Sequence, residues 1–239
     1  MNVILPAISS TLRTTLEILL SENIDYFNSS NKLINHKVIY CNKWTDDQNS
    51  KYIHLVKMLQ NECDHLYDTF KNTTLIQLNI LNAPPDCNTQ LFHLDYKGDS
   101  ISYFIPFVEL SNMNGTEYLY FFDHKNYSDK YSIILEMNEN YFDRNEAIDF
   151  LSKKNLILDV DYAFKFANSD AFSLIYMPFY VYHRGQKNKT NKNRLMLNIL
   201  FSIENTYDFP TAEYVLDTEI DEKLRAERIL NIRNNKIII

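Results

Sequence analysis

Between residues 74 and 203 the chain alternates strand-like runs with turn signals, and this succession restricts it to a layered β fold. "TTLIQLNIL" sets Leu75, Gln77 and Asn79 against Ile76, Leu78 and Ile80, the period of two that marks a half-buried strand. Pro84 and Pro85 in "NAPPDCN" end that run, because proline donates nothing to a ladder. "TQLFHLD", "SISYFIPFVEL", "EYLYFFD" and "YSIILEM" follow as strands. Asn114-Gly115, in the turn before "EYLYFFD", is expected to supply positive φ. "LILDVDYAFKF", "AFSLIYMPFYVYH" and "RLMLNILFSI" complete the series. The 17 Tyr and 15 Phe favour strands over helices. Many strands joined by turns indicate a sandwich or a barrel.

Helical patterns flank this core. Leu12, Leu16, Leu19, Leu20 and Ile24 recur at helical spacing and predict a helix over Ser10 to Phe27, capped by Ser9, Ser10 or Thr11. Ile53, Val56, Leu59, Cys63 and Leu66 predict a second over Ser50 to Phe70, capped by Asn49 or Ser50. Asp143 caps a short helix in "DRNEAIDFLSKKN", and the charged segment from Asp217 to Arg233 reads as helical. No repeat, linker or low-complexity tract divides the chain. We therefore expect one mainly β (α+β) domain over 1–239. Its parts are a helical N-terminal region (1–73), a β core (74–203) and a C-terminal extension (204–239).

The net charge of −7 argues against a nucleic-acid partner, whose phosphates require a basic face. Cys41, Cys63 and Cys87 are odd in number and lack C-x-x-C spacing, so they read as free thiols of a reducing compartment. "MNVILPAISSTLRTTL" makes a poor signal peptide, and no apolar run reaches the length of a membrane span. The expectation is a soluble cytoplasmic protein that acts on a small molecule.

The chemistry begins at "LFHLDYKGDS". On a strand, His93 and Asp95 point to one face, with Leu94 opposite. His183 ends "AFSLIYMPFYVYH", and a late antiparallel strand can bring it beside them. Two histidines and one carboxylate form the facial triad of non-haem Fe(II) oxygenases, which leaves positions open for a co-substrate and O2. Next comes "RLMLNILFSI", where Arg194, Met196, Asn198 and Leu200 share a face. An inward arginine is costly unless it meets an anion, and a guanidinium binds a carboxylate bidentately. A 2-oxo acid chelated to iron presents such a carboxylate at its far end. Gln77 and Asn79 share a strand face from which a co-substrate could be hydrogen-bonded. His124 reads as structural, and His54 and His65 as ordinary helix residues. Arg184, Lys187, Lys189 and Lys192 read first as a solvated loop and second as a rail that steers an anionic substrate.

These elements resemble the Fe(II)/2-oxoglutarate dioxygenases, and within them the phytanoyl-CoA dioxygenase-like group. The matching elements are His93-Leu94-Asp95, "SISYFIPFVEL", Asn114-Gly115, His183, Asn188-Lys189-Thr190 and Arg194, which lies eleven residues after the distal histidine (194 − 183). The resemblance covers Thr74 to Ile203. It implies that His93, Asp95 and His183 ligate Fe(II), that Arg194 binds the distal carboxylate of 2-oxoglutarate, and that the core is a double-stranded β-helix, a cupin-like jelly roll with helices packed on one sheet. The implied reaction is hydroxylation of a small-molecule C–H bond. Some members carry a serine two residues after the distal histidine, where this chain has Gly185. The three glycines, Gly98, Gly115 and Gly185, all fall where backbone turns or approaches a ligand. A cupin-like metal enzyme without 2-oxoglutarate and a non-catalytic jelly-roll binding protein are the alternatives.

Overall fold

A computed structural model describes residues 4–28, 34–42, 44–62, 73–94, 100–119, 142–156, 163–178 and 181–202, together with 133, 136, 137 and 140. The strands are β1 (Ile4–Ala7), β2 (Asn35–Cys41), β3 (Thr74–Ala83), β4 (Ser100–Pro106), β5 (Thr116–Leu119), β6 (Phe164–Phe166), β7 (Ser173–Pro178), β8 (His183–Gly185) and β9 (Arg194–Ser202). The helices are α1 (Ser10–Asn28), α2 (Asp46–Glu62) and α3 (Arg144–Lys153). A six-stranded sheet runs β1-β7-β4-β9-β3-β2, and a three-stranded sheet runs β6-β5-β8. Every pairing is antiparallel. Among the described residues no helix is long and apolar enough to cross a membrane.

Three apolar clusters define the layers. Leu12, Leu16 and Leu19 of α1 and Leu55 and Leu59 of α2 pack on Leu78, Ile80, Tyr103, Ile105, Leu197, Ile199 and Phe201, so the helices cover one face of the large sheet. The opposite face gives Phe104, Ile175, Met177 and Met196 to a second cluster, which Tyr118 of the small sheet joins. That cluster lies between the sheets. Leu119, Phe164, Tyr182, Phe92 and Leu94 pack with Ala147 and Leu151 of α3 behind the small sheet. All nine residues of β9 are buried, as expected for a central strand covered on both faces.

Local chemistry explains most boundaries. The Oγ of Ser9 accepts from Leu12 N and starts α1. Asp143 and Glu146 form a reciprocal capping box at α3, as Asp143 predicted. For α2 the expectation is corrected. Neither Asn49 nor Ser50 caps it, because Thr45 and Gln48 already do: Thr45 N donates to Gln48 Oε1 (2.9 Å), and Gln48 N donates to Thr45 Oγ1 (3.4 Å). Asn49 lies inside the helix and donates instead to the Cys41 carbonyl. The buried stripe of α2 runs through Leu55 and Leu59, while Ile53 is exposed.

Five further expectations change. The N-terminal region is not only helical, since it supplies β1 and β2, the two edges of the large sheet. "AFSLIYMPFYVYH" is not one strand: it divides after Pro178 into β7 of the large sheet and β8 of the small one. A proline donates nothing to a ladder, and of this run only His183 belongs to β8. The described residues of "TQLFHLD" form no regular strand and meet β8 at the isolated bridge His93–His183 and through Gln90, whose N donates to the Gly185 carbonyl and whose Oε1 accepts from Gly185 N. In "YSIILEM" the described residues Ile133, Glu136 and Met137 are helical, with Ile133 and Met137 spaced one turn apart on one face. The register also shifts between Leu75 and Gln77. Leu75 therefore faces the helices with Leu78 and Ile80, not the side that Gln77 and Asn79 share.

Gly115 is required by close approach rather than by φ. The described non-glycine residues with positive φ are Asp86, Asn155 and Phe172, and Asn114 is not among them. A Cβ at Gly115 would stand 2.7 Å from the Ser111 carbonyl oxygen and 3.0 Å from that of Ala167. Cys41 and Cys87 are free, buried thiols. Cys63, His65, Asp95, Gly98, His124 and the expected C-terminal helix lie outside the described residues.

Candidate metal and co-substrate site

The histidines meet where the loop before β4 touches the small sheet. His93 N donates to the His183 carbonyl (2.8 Å), and His183 N donates to that of His93 (3.0 Å). Directly opposed residues of an antiparallel bridge point their side chains to one side. Phe92, Leu94 and Tyr182 pack behind the small sheet, so both imidazoles turn into the space between the sheets. Tyr118, the partner of His183 in β5, reaches the same interior. The ring centres stand 4.9 Å apart. Two imidazoles sharing one ion in adjacent positions have centres about 4.5–5 Å apart at a metal–nitrogen length of ~2.1 Å.

Both rings are held in the same way. His93 Nδ1 lies 2.8 Å from the Leu91 carbonyl oxygen, and His183 Nδ1 lies 2.8 Å from that of Val181. A carbonyl only accepts, so each Nδ1 carries the proton and each lone pair sits on Nε2. This is the tautomer a metal ligand needs, and a backbone carbonyl is a usual orienting partner for it. Among the described residues no third His, Cys, Asp or Glu completes a metal cluster. The expected third ligand, Asp95, lies outside them.

Arg194 opens β9 and is 2% exposed. Its Nη1 donates to the carbonyls of Asn114 and Gln186, while its buried Nε has no partner among the described residues. Burial pushes the guanidinium down to about 10, and the neighbour that opposes this is the Cys87 thiol rather than a carboxylate. A buried cation without an acid is poised for an anion. The link to the histidines runs through β8. His183 and Gly185 project to one face, and a Cβ on Gly185 would meet Gln90 Oε1 at 2.6 Å, Ile34 Cδ1 at 2.9 Å and Arg194 Nη2 at 3.1 Å. Two strand residues span ~6.5–7 Å, so the guanidinium lies one small molecule's length from the histidine pair. Glycine at 185 leaves room for it, and any side chain there would have to displace the ends of Gln90, Ile34 and Arg194.

The loop between β8 and β9 owes its shape to Asn188, which is fully buried. Its Nδ2 donates to the carbonyls of Ala83 (2.8 Å) and Lys192 (2.7 Å), and its Oδ1 accepts from Thr190 Oγ1 (2.7 Å). The Asn-x-Thr element thus ties the loop to the end of β3 and sets the start of β9. Gln77 is buried on the inner face of β3, where its Oε1 accepts from Asn79 Nδ2 (3.3 Å).

One group escaped sequence reasoning. Glu117, on the outer side of β5, is 2% exposed and pairs with Arg184 (2.7 Å) and Arg144 (3.0 Å). Each guanidinium also covers an aromatic ring, Phe92 for Arg184 and Phe164 for Arg144. The clamp fixes β8, and hence His183, against β5 and α3. Arg184 therefore faces away from the interior, and Lys187 pairs with Asp86 (3.0 Å), which leaves little of the basic rail. Removing the acid strands a cation beside the core. Glu117→Ala is expected to lower stability by about 2–4 kcal/mol, the low end because Arg144 is partly solvated. Urea unfolding measures this, and an unchanged midpoint would refute the clamp.

No family model matches the sequence, and no curated protein matches it. Solved structures do match in shape. SnoK, a non-haem alpha-ketoglutarate-dependent carbocyclase from nogalamycin biosynthesis, superposes with a TM-score of 0.53 at 10% identity, covering 83% of this chain and 78% of its own. HygX from Streptomyces hygroscopicus, with nickel and 2-oxoglutarate bound, gives 0.51 at 8% identity, covering 83% and 81%. EvdO2 from Micromonospora carbonacea var. aurantiaca gives 0.52 at 10%, covering 83% and 84%. At such identities the likeness is one of fold. The chain thus has a mainly antiparallel, jelly-roll-like β fold shared with solved 2-oxoglutarate-dependent enzymes.

Proposed function

We propose that the protein is an Fe(II)- and 2-oxoglutarate-dependent oxygenase that hydroxylates a C–H bond of a small molecule, and that its two sheets form a double-stranded β-helix. The observation that carries this reading is the pairing of two inward imidazoles of one tautomer with a buried arginine that meets no acid among the described residues. The donor set fits the group: His93 and His183 would hold the iron through Nε2, with Asp95 as the third ligand. When bound, the iron with 2-oxoglutarate and O2 supplies oxidation of a C–H bond to C–OH, with release of succinate and CO2. The chain's own residues do the positioning. The Leu91 and Val181 carbonyls keep the imidazoles aligned. Arg194 takes the distal carboxylate of 2-oxoglutarate, whereas Gln77, opposite Leu200 at the other end of the β3–β9 ladder, lies too far along the strand to share it. Phe104, Met177 and Met196 exclude water from the interior.

The test is anaerobic. Metal-free protein receives Fe(II) and then 2-oxoglutarate, and the weak visible charge-transfer band of the chelate is followed, with His93→Ala as control. A band in the unmutated protein alone supports the reading. Iron binding without a band would favour a cupin-like enzyme that does not use 2-oxoglutarate, and no iron binding would leave a non-catalytic jelly roll.

A further inference from the structure

The inner face of the large sheet carries a neutral polar belt that metal and co-substrate leave unexplained. Asn79 of β3 and Asn198 of β9 are directly opposed. Leu78, Ile80, Leu197 and Ile199 all pack toward the helices, so both asparagines face the interior between the sheets. They are 7% and 6% exposed. The Nδ2 of Asn79 is engaged by Gln77, yet neither Oδ1 accepts a hydrogen bond from the described residues. Ser102 of β4, opposite Leu200, lies on the same face.

A buried amide oxygen without a donor is costly, and native interiors rarely keep one. Two on adjoining strands are rarer still. The flanking inner positions of β9, Met196 and Leu200, are apolar, so packing alone does not call for asparagine at 198. What the pair lacks is donors. Neither a carboxylate nor the far end of an acyl chain provides them. The belt holds amides and a hydroxyl but no charged side chain, so an ammonium ion would find no counter-charge there. Neutral hydroxyl groups fit. Directly opposed residues have Cα atoms about 4.5–5.5 Å apart, which lets two amide oxygens take neighbouring hydroxyls of one ring.

We infer that the substrate is a neutral polyhydroxylated ring, of the sugar or cyclitol class, whose hydroxyls donate to Asn79 and Asn198. This rests on the oxygenase reading only for what is then done to the ring. The test follows the thermal midpoint of the protein, metal-free and loaded with Ni(II) and 2-oxoglutarate, as methyl α-glucoside, myo-inositol or decanoate is added at millimolar concentration. The expected result is an upward shift with at least one of the two polyols and none with decanoate. Asn198→Leu and Asn79→Leu should each lose that shift, and Asn198→Leu should keep the shift from Ni(II) and 2-oxoglutarate. Absence of a polyol shift, a shift with decanoate alone, or an undiminished polyol shift in both variants overturns the inference. A failed Ni(II) and 2-oxoglutarate shift in the unmutated protein counts against the oxygenase reading instead, and the metal-free arm then still decides the polyol site.

Discussion

Alanine in place of His183 is expected to take Fe(II) binding below detection while the chain still folds. The imidazole makes two contributions. Its Nε2 is half of the histidine pair, and its Nδ1 bond to the Val181 carbonyl aligns it. Losing a mere orienting partner typically costs ~10–100-fold in metal affinity, and losing the ligand itself costs at least that. The backbone bridge to His93 uses main-chain atoms and survives the substitution, so circular dichroism should show an intact fold. Fe(II) titration followed by equilibrium dialysis provides the measurement. Affinity within a few-fold of the unmutated protein would remove His183 from the site.

Arg194→Met is expected to separate stability from binding. The guanidinium is pushed well below its ordinary value, down to about 10, by burial. A base depressed in the folded state binds its proton less tightly there than in the unfolded chain. The folded state is therefore penalised at every pH below that value, and stability rises only as pH climbs through it. At neutral pH the whole penalty is present. Its offsets are the bonds to the Asn114 and Gln186 carbonyls, each worth about 1–3 kcal/mol. Methionine removes the several-kcal/mol cost of an unpaired buried ion, so the metal-free variant should unfold at an equal or higher temperature. Its 2-oxoglutarate affinity should fall by ~100-fold or more, as when one partner of a buried charge pair is truncated. An unchanged 2-oxoglutarate requirement would dismiss the arginine from this role, whatever happens to stability.

The parts of the site that were legible in the sequence are those fixed by chemistry within a short window. His93, His183 and Arg194 stand out because a polar residue that ends or begins an apolar run has few structural reasons to be there. The division of "AFSLIYMPFYVYH" between two sheets was hidden, because the buried Val181 and Tyr182 continue the apolar texture up to His183 although they belong to neither strand. The shift at Leu75–Gln77 was hidden for another reason: strict alternation is the default, and one extra residue reverses it without changing composition. The Thr45–Gln48 capping box was present in the sequence, but the apolar stripe drew attention one turn too late. Glu117 was unreadable in principle, since its two arginines come from segments 27 and 67 residues away. Strand β1 was too short for periodicity to reveal, and β2 opens on the polar run Asn35-His36-Lys37, which hides an apolar pattern.

Those two strands have a consequence for how the molecule is made. Each forms an outer edge of the six-stranded sheet, yet each leaves the ribosome before the strand it must pair with. β2 waits only for β3. β1 must wait for β7, because Ile4 pairs with Ile175. Contacts of such long sequence separation slow folding, and an incomplete sheet with open edges is prone to join its neighbours. A nascent chain stalled before residue 173 therefore holds an unmatched strand and no sheet edge to receive it, and the large sheet cannot close until β7 has been made.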